Sequence, residues 1–140
     1  MKTSIFRMLA ILSLCVTLGS IAMFAQGPIQ ATIPFDFTVG TTTFHAGDYY
    51  VRQQSSLILG IQRMDGGSGV FSMVRPGTVN GTPDKAYLMF NRIGDRYFLA
   101  QVSDSRHHWD LPKSVAEKEM TASAGPAPKP LTILAYIAKK

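Results

Sequence analysis

Apolar and polar residues alternate along residues 31–39, where every odd position is apolar and the even positions are Thr32, Pro34, Asp36 and Thr38. A period of two is typical of a strand that buries one face. The pattern therefore predicts one continuous strand over 31–39. Because proline cannot donate a ladder hydrogen bond, Pro34 favours a sheet edge or a nitrogen that points outward.

Short apolar runs rich in aromatic residues follow, separated by turn residues at intervals typical of antiparallel β proteins. The clearest turn, 93–95, predicts a hairpin between its flanking runs. The pattern predicts an all-β, mainly antiparallel fold, a small β-sandwich or filled β-barrel of about seven to eight strands with one short C-terminal helix. The further predicted strands cover 49–52, 57–62, 70–74, 86–90 and 97–102, with a long loop over 76–84.

The helix is predicted over 112–120, where Ser114 and Glu117 have the spacing of a capping box. We expect Val115 and Met120 to face the sheet and Glu117 to stay in water. Residues 121–130, rich in proline and alanine, are predicted to be a linker. Residues 131–138 have strand composition and are predicted to be the final strand. The alternative is a tail that is free or bound to a partner.

The first 25 residues have the layout of a secretory signal peptide. Lys2 and Arg7 precede an apolar stretch, and small residues follow it. We expect cleavage after Ala22 or Ala25, which predicts an exported bacterial protein, periplasmic or extracellular, without a stable membrane anchor. An uncleaved anchor is the alternative, but the apolar stretch is slightly shorter than the roughly 20 residues of a spanning helix.

The remaining chain, 26–140, holds about 115 residues, which suits a single domain. The chain's one cysteine, Cys15, lies in the signal segment, so no disulfide is expected. The formal net charge is +5, but the arginines are scattered singly. Nucleic acid is therefore not an expected partner, because binding it needs clustered basic residues.

Four blocks in this order resemble a family of uncharacterised exported β-rich proteins that is common in acidobacteria. The family often has proline where His45 stands, and tryptophan where Ser103 follows Val102. The resemblance implies export and a β-rich single domain, and it implies no activity. The blocks are IPFDFTVG at 33–40, AGDYYV at 46–51, RIGDRYFL at 92–99 and LPKSVAEKE at 111–119.

The weak candidates for metal ligands are His45, His107, His108 and Asp110. Zinc requires about four convergent ligands, whereas neighbouring residues of an extended segment point to opposite faces. We therefore expect no metal and no cofactor, and we expect 107–110 to form a loop anchored by Trp109. No catalytic motif is present, and Asp36 has no second carboxylate placed beside it by sequence. The chain is predicted not to be an enzyme.

Several predicted strands have apolar residues on both faces. If one face lies in the core, the other face must also be shielded from water. The predicted function is a non-catalytic domain that is structural or binds a protein, with another protein or a second copy as partner. The alternative is a carrier of small hydrophobic ligands with a lipocalin-like barrel. A hydrolase or a metal-binding protein is less favoured. The possible apolar binding face comprises Phe71, Met73, Tyr87, Met89 and Phe98.

Overall fold

The alternating and apolar runs form short strands joined mostly by tight turns, as the sequence predicts. The structure is a computed structural model that describes residues 27–78, 85–123 and 127–137. The predicted signal segment, its cleavage site and residues 79–84 of the predicted long loop lie outside the described residues. The elements are β1 (Ile29–Ile33), β2 (Phe37–Val39), β3 (Thr42–Phe44), β4 (Gly47–Ser55), β5 (Ile58–Arg63), β6 (Gly69–Met73), β7 (Arg75–Thr78), β8 (Tyr87–Ile93), β9 (Arg96–Ser103), β10 (His107–Asp110), α1 (Val115–Ala122), β11 (Lys129–Leu134) and β12 (Tyr136–Ile137).

The strands form two sheets, and the all-β fold class is confirmed. Sheet A has the order β12-β1-β4-β5-β6. Sheet B has the order β11-β8-β9-β10-β7, with β2 beside β9 and β3 beside β2. Neighbours pair antiparallel except β2 and β9, which are parallel where Thr38 lies opposite Phe98.

Two bent strands join the edges of the sheets. The chain continues from β6 in sheet A to β7 in sheet B through Val74, and from β11 in sheet B to β12 in sheet A through Ala135. Both bend residues are buried, and the N–H of Ala135 donates to the Ala86 carbonyl at 2.9 Å. The two sheets, connected by these bends, therefore form one ring of strands. The architecture is intermediate between a sandwich and a filled barrel.

Aromatic side chains fill the space between the sheets. Phe37 stacks on Phe44 with ring centroids 5.4 Å apart, and it meets Tyr49 of sheet A and Phe90 of sheet B edge-on at 5.1 and 5.5 Å. Edge-to-face pairs of this kind add to the stabilisation from apolar burial. Phe37 thus contacts both layers, and the hairpin β2–β3 positions it there.

Several local predictions are confirmed. The hairpin between β8 and β9 turns at Gly94, whose φ of 60° is the left-handed conformation that glycine adopts without strain. Helix α1 begins after Ser114, whose Oγ accepts the Glu117 N–H at 3.0 Å. The last predicted strand exists, and it is split at Ala135 so that β11 pairs with β8 and β12 with β1.

Other local predictions are wrong. The single strand 31–39 is two strands, because the chain leaves sheet A after Ile33 and enters sheet B at Phe37. Strand β1 lies inside its sheet, and Pro34 follows its end. Residues 75–78 and 107–110 pair with each other as strands rather than forming loops. The linker is shorter than predicted, since α1 runs to Ala122 and β11 begins at Lys129.

The predicted orientation of the helix is wrong for Val115 and Glu117, whereas Met120 is half-buried, with its Sδ 3.9 Å from an Arg96 nitrogen on β9. Val115 is 64% exposed, whereas Glu117 is 3% exposed. The reason is a polar contact between the helix and the sheet: Asn91 Nδ2 on β8 donates to Glu117 Oε1 at 2.8 Å. A buried carboxylate is tolerated when it is hydrogen-bonded in this way.

We expect Glu117→Ala to lower the free energy of unfolding by about 1–3 kcal/mol, because the Asn91 amide loses its acceptor in a partly buried position. Glu117→Gln keeps an acceptor oxygen and serves as the matched control. Glu119→Ala removes an exposed carboxylate from the same helix. Urea denaturation measures all three variants. Equal losses for Glu117→Ala and Glu119→Ala would contradict the role assigned to the contact.

Candidate functional site

Strand β6 is an edge strand without the usual protection. In the described part of the chain it pairs with β5 on one side, and no strand pairs with its other side. The segment Gly69-Val70-Phe71-Ser72-Met73 contains no charged residue and no proline. Natural proteins commonly protect open edges with lysine, proline or a bulge, because unpaired backbone groups recruit other strands.

The other edges of the described residues are protected or short. Strand β7 contains Pro76, and β11 begins with Lys129 and Pro130. Strands β3 and β12 have 3 and 2 residues, too few to offer a long edge. Among these edges, β6 is the longer one that carries neither a charge nor a proline.

Two large apolar side chains project from β6 into solvent. Phe71 and Met73 are each 72% exposed. Both lie on the face opposite the core, because alternate residues of a strand point to the same side. Leu57, 51% exposed, lies near the Met73 end, where its carbonyl accepts the Val74 N–H at 2.9 Å. We call Leu57, Phe71, Met73 and the unpaired side of β6 the edge surface.

A glycine on β5 positions the Phe71 ring. Gly60 lies directly opposite Phe71 in the register. A Cβ atom added at Gly60 would lie 3.0 Å from Phe71 Cε1 and 3.3 Å from Gln54 Nε2. The ring therefore leans over a residue that has no side chain, while most of its surface faces solvent.

Two grooves formed by described residues lie outside the aromatic core. A groove of about 230 Å³ crosses the outer face of sheet A, with Tyr50, Arg52, Gly60, Gln62 and Phe71 among its lining residues. A second groove of about 380 Å³ lies beside Met73, between Arg75 and the segment 110–113. Both are open surface features, in contrast to an enclosed ligand chamber.

The weak metal candidates occupy separate places. His45 Nδ1 lies 3.2 Å from Asp36 Oδ2, next to the crossing between β3 and β4. On β10, His107 Nδ1 lies 3.6 Å from Asp104 Oδ2, and His108 Nε2 lies 3.8 Å from Asp110 Oδ2. Among the described residues, no three histidine, cysteine, aspartate or glutamate side chains converge as a metal site would require.

Asp36 is held in place by hydrogen bonds to residues of the turn between β3 and β4. It accepts the Ala46 N–H at 3.0 Å and contacts His45 Nδ1 at 3.2 Å. The backbone hydrogen bond from Ala46, and then the one from His45, hold the pKa of Asp36 below its usual value. A general acid needs the opposite shift, so this carboxylate suits a fixed acceptor rather than a proton donor. Tyr49 Oη donates to the His45 carbonyl at 2.5 Å, and burial raises the pKa of that phenol.

The five residues of the predicted apolar face do not share a face. Phe71 and Met73 lie on sheet A, whereas Tyr87 and Met89 are half-buried on β8 of sheet B. Phe98 is buried, which corrects its assignment to a binding face. Its register partner on β8 is Asn91, the residue that Glu117 of α1 contacts, so the helix covers this part of sheet B.

Comparison with protein-family models, curated proteins and solved structures found no match. The resemblance to the acidobacterial exported proteins therefore stays a prediction. Within the described residues, no helix has the length and apolar character needed to cross a membrane.

The edge position of β6 could not be predicted from the sequence, because the order of strands in a sheet depends on residues that are far apart in the chain. The absence of charge from 69–73 is visible in the printed chain. That these residues lie at an edge follows from the pairing of β5 and from the bend at Val74.

Lowering the pH should destabilise the folded protein, because protonation of Asp36 weakens its hydrogen bonds with Ala46 and His45. Because folding lowers the pKa of Asp36, the stabilising contribution of its charge is complete above about pH 4, the ordinary pKa of an aspartate. That contribution is lost as the pH falls through the lower pKa that Asp36 has in the folded protein. We expect Asp36→Asn to be destabilised relative to wild type at pH 7, and the difference to shrink towards pH 2.

Urea midpoints at both pH values measure this difference. Asp95→Asn, in which a fully exposed aspartate is changed, is the control for removing one surface charge. A difference between Asp36→Asn and wild type that stays constant with pH would show that the charge on Asp36 does not matter.

Proposed function

We propose that this protein is an exported, non-catalytic domain that binds another protein chain by adding a strand to β6. The observation that carries the proposal is the open, uncharged edge of β6 with Phe71 and Met73 beside it. In strand addition, main-chain hydrogen bonds supply affinity, and pockets for alternate side chains supply specificity. The edge surface offers both kinds of contact.

The distribution of polar groups supports a non-catalytic role. The described histidines each lie beside a different aspartate, and Asp36 is held in its ionised form by the chain crossing. The buried Glu117 is bound to Asn91 and lies between the helix and the sheet. Acid–base catalysis requires groups that converge on one substrate position.

A hydrophobic-ligand carrier is less well supported. The space where such a barrel would hold a ligand contains Phe37, Tyr49 and Phe90. The groove of about 230 Å³ at Phe71 is smaller than the usual range of ligand pockets, roughly 300–1,000 Å³. The groove of about 380 Å³ beside Met73 is within that range, but it is open surface between Arg75 and the segment 110–113 rather than an enclosed chamber.

Export is the second part of the proposal, and it rests on the first 25 residues. We expect the chain produced in a Gram-negative host to be recovered outside the cytoplasm, beginning at Met23 or Gln26. Intact-mass measurement of the recovered chain distinguishes the two products. Leu12→Arg, which places a charge in the apolar stretch, should leave the chain uncleaved and inside the cell. Cleavage and export of that variant would contradict the signal assignment.

Binding at β6 is tested with a fluorescent peptide of alternating valine and serine, capped at both ends, whose anisotropy reports association. We expect saturable binding to the wild-type chain. Phe71→Gln together with Met73→Gln should weaken it at least about tenfold, because the apolar contacts beside the edge are removed. Leu134→Gln changes an exposed residue on β11, away from β6, and is the matched control. Binding that is absent, or equal in all variants, would overturn the proposed function.

A further inference from the structure

We propose that the partner of β6 is β6 of a second copy of this chain, paired antiparallel about a two-fold axis at Phe71. This inference rests on the proposed function, since it names the strand that the open edge receives. Sheet A would then continue across the axis into the sheet A of the second copy. A two-fold interface requires one surface patch to complement itself.

The shapes of the edge residues fit this pairing. With Phe71 opposite Phe71 of the second copy, Gly69 lies opposite Met73 and Met73 opposite Gly69. The outward side chains of β6 are the odd-numbered residues, and these are the positions that meet. Each Met73 then lies over a glycine of the second copy. Within one chain, Phe71 already lies over Gly60 in the same manner.

The two Phe71 side chains would be neighbours at the axis. Side chains directly opposite in an antiparallel pair have Cβ atoms about 4.5–5.5 Å apart, and aromatic pairs there stabilise a sheet. Contact across the axis would cover part of Phe71 and Met73, the two most exposed large apolar side chains described in the structure.

The orientation of the pair follows from the fit of Met73 over Gly69. The charges near the two ends of β6 already have neighbours of opposite sign within one chain: Asp65 Oδ2 lies 2.8 Å from Arg63 Nε, and Arg75 lies opposite Asp110 in the register of β7 and β10. These charges therefore do not select the antiparallel orientation.

Open backbone groups and small residues opposite large ones thus describe a self-complementary edge. A foreign strand would use the same backbone groups and apolar side chains, whereas a second copy also places a glycine opposite Met73 at both ends of the interface. The interface is short, so we expect a reversible dimer with a dissociation constant on the order of micromolar.

A charge exchange at position 71 tests the pairing. The full chain is used in a Cys15→Ser background, which prevents disulfide formation. We expect wild type to sediment as a reversible dimer. Phe71→Lys and Phe71→Glu should each dimerise at least about tenfold more weakly, because like charges meet at the axis. An equimolar mixture of the two variants should dimerise again, because lysine then meets glutamate. Leu134→Lys is the control and should dimerise as wild type does.

The possible outcomes separate this inference from the proposed function. Restored dimerisation in the mixture supports pairing at Phe71. A wild-type chain that stays monomeric, or variants that dimerise unchanged, overturns the second copy as the partner. If wild type is monomeric and still binds the valine–serine peptide, the proposed function stands and the partner is a different chain. Thermal unfolding of both Phe71 variants shows whether they are folded, as expected for changes at an exposed position.

Discussion

The structure depends on one corner, where the chain crosses between the sheets twice. Residues 34–36 lead from sheet A to β2, and His45 and Ala46 lead from β3 back to sheet A. Asp36 joins the two crossings by accepting the Ala46 N–H, and Tyr49 Oη binds the His45 carbonyl four residues upstream. A tyrosine that binds upstream backbone in this way is known as a tyrosine corner in β-sandwiches. These contacts satisfy backbone groups where the ladders are interrupted.

The corner places the short hairpin β2–β3 where its aromatic residues reach both layers. Phe37 meets Tyr49 on one side and Phe90 on the other, so the two sheets pack on a common ring. Thr38 is buried because β2 also lies beside β9. The core of this cysteine-free part of the chain is therefore held by packed aromatic rings and by the bends at Val74 and Ala135, where the chain passes from one sheet to the other.

The open edge is a consequence of the same architecture. The bend at Val74 divides this stretch of the chain into β6, which pairs with β5, and β7, which pairs with β10. Among the described residues, no strand pairs with the other side of β6 or of β7. The half in sheet B carries Pro76, which blunts it. The half in sheet A carries Phe71 and Met73 and has no such residue. The bend at Val74 joins the two sheets into one ring of strands and also leaves one side of β6 without a strand partner among the described residues. The same bend therefore serves the fold and the proposed binding of a partner strand.

Local pattern determined the kind of element in most of this protein. Alternation predicted the strands, Gly94 predicted the hairpin turn and Ser114 predicted the start of the helix, since each depends on residues a few positions apart. Tertiary structure decided what covers each face. Residues 31–39 alternate without interruption, yet they divide between two sheets. Glu117 is buried because Asn91, 26 residues earlier, provides a donor. Phe98, the register partner of Asn91 on β9, is buried as well. The edge position of β6 likewise depends on distant strands. Side-chain periodicity specifies which residues share a face, but only contacts between distant segments determine whether that face or edge meets the core, a partner or water.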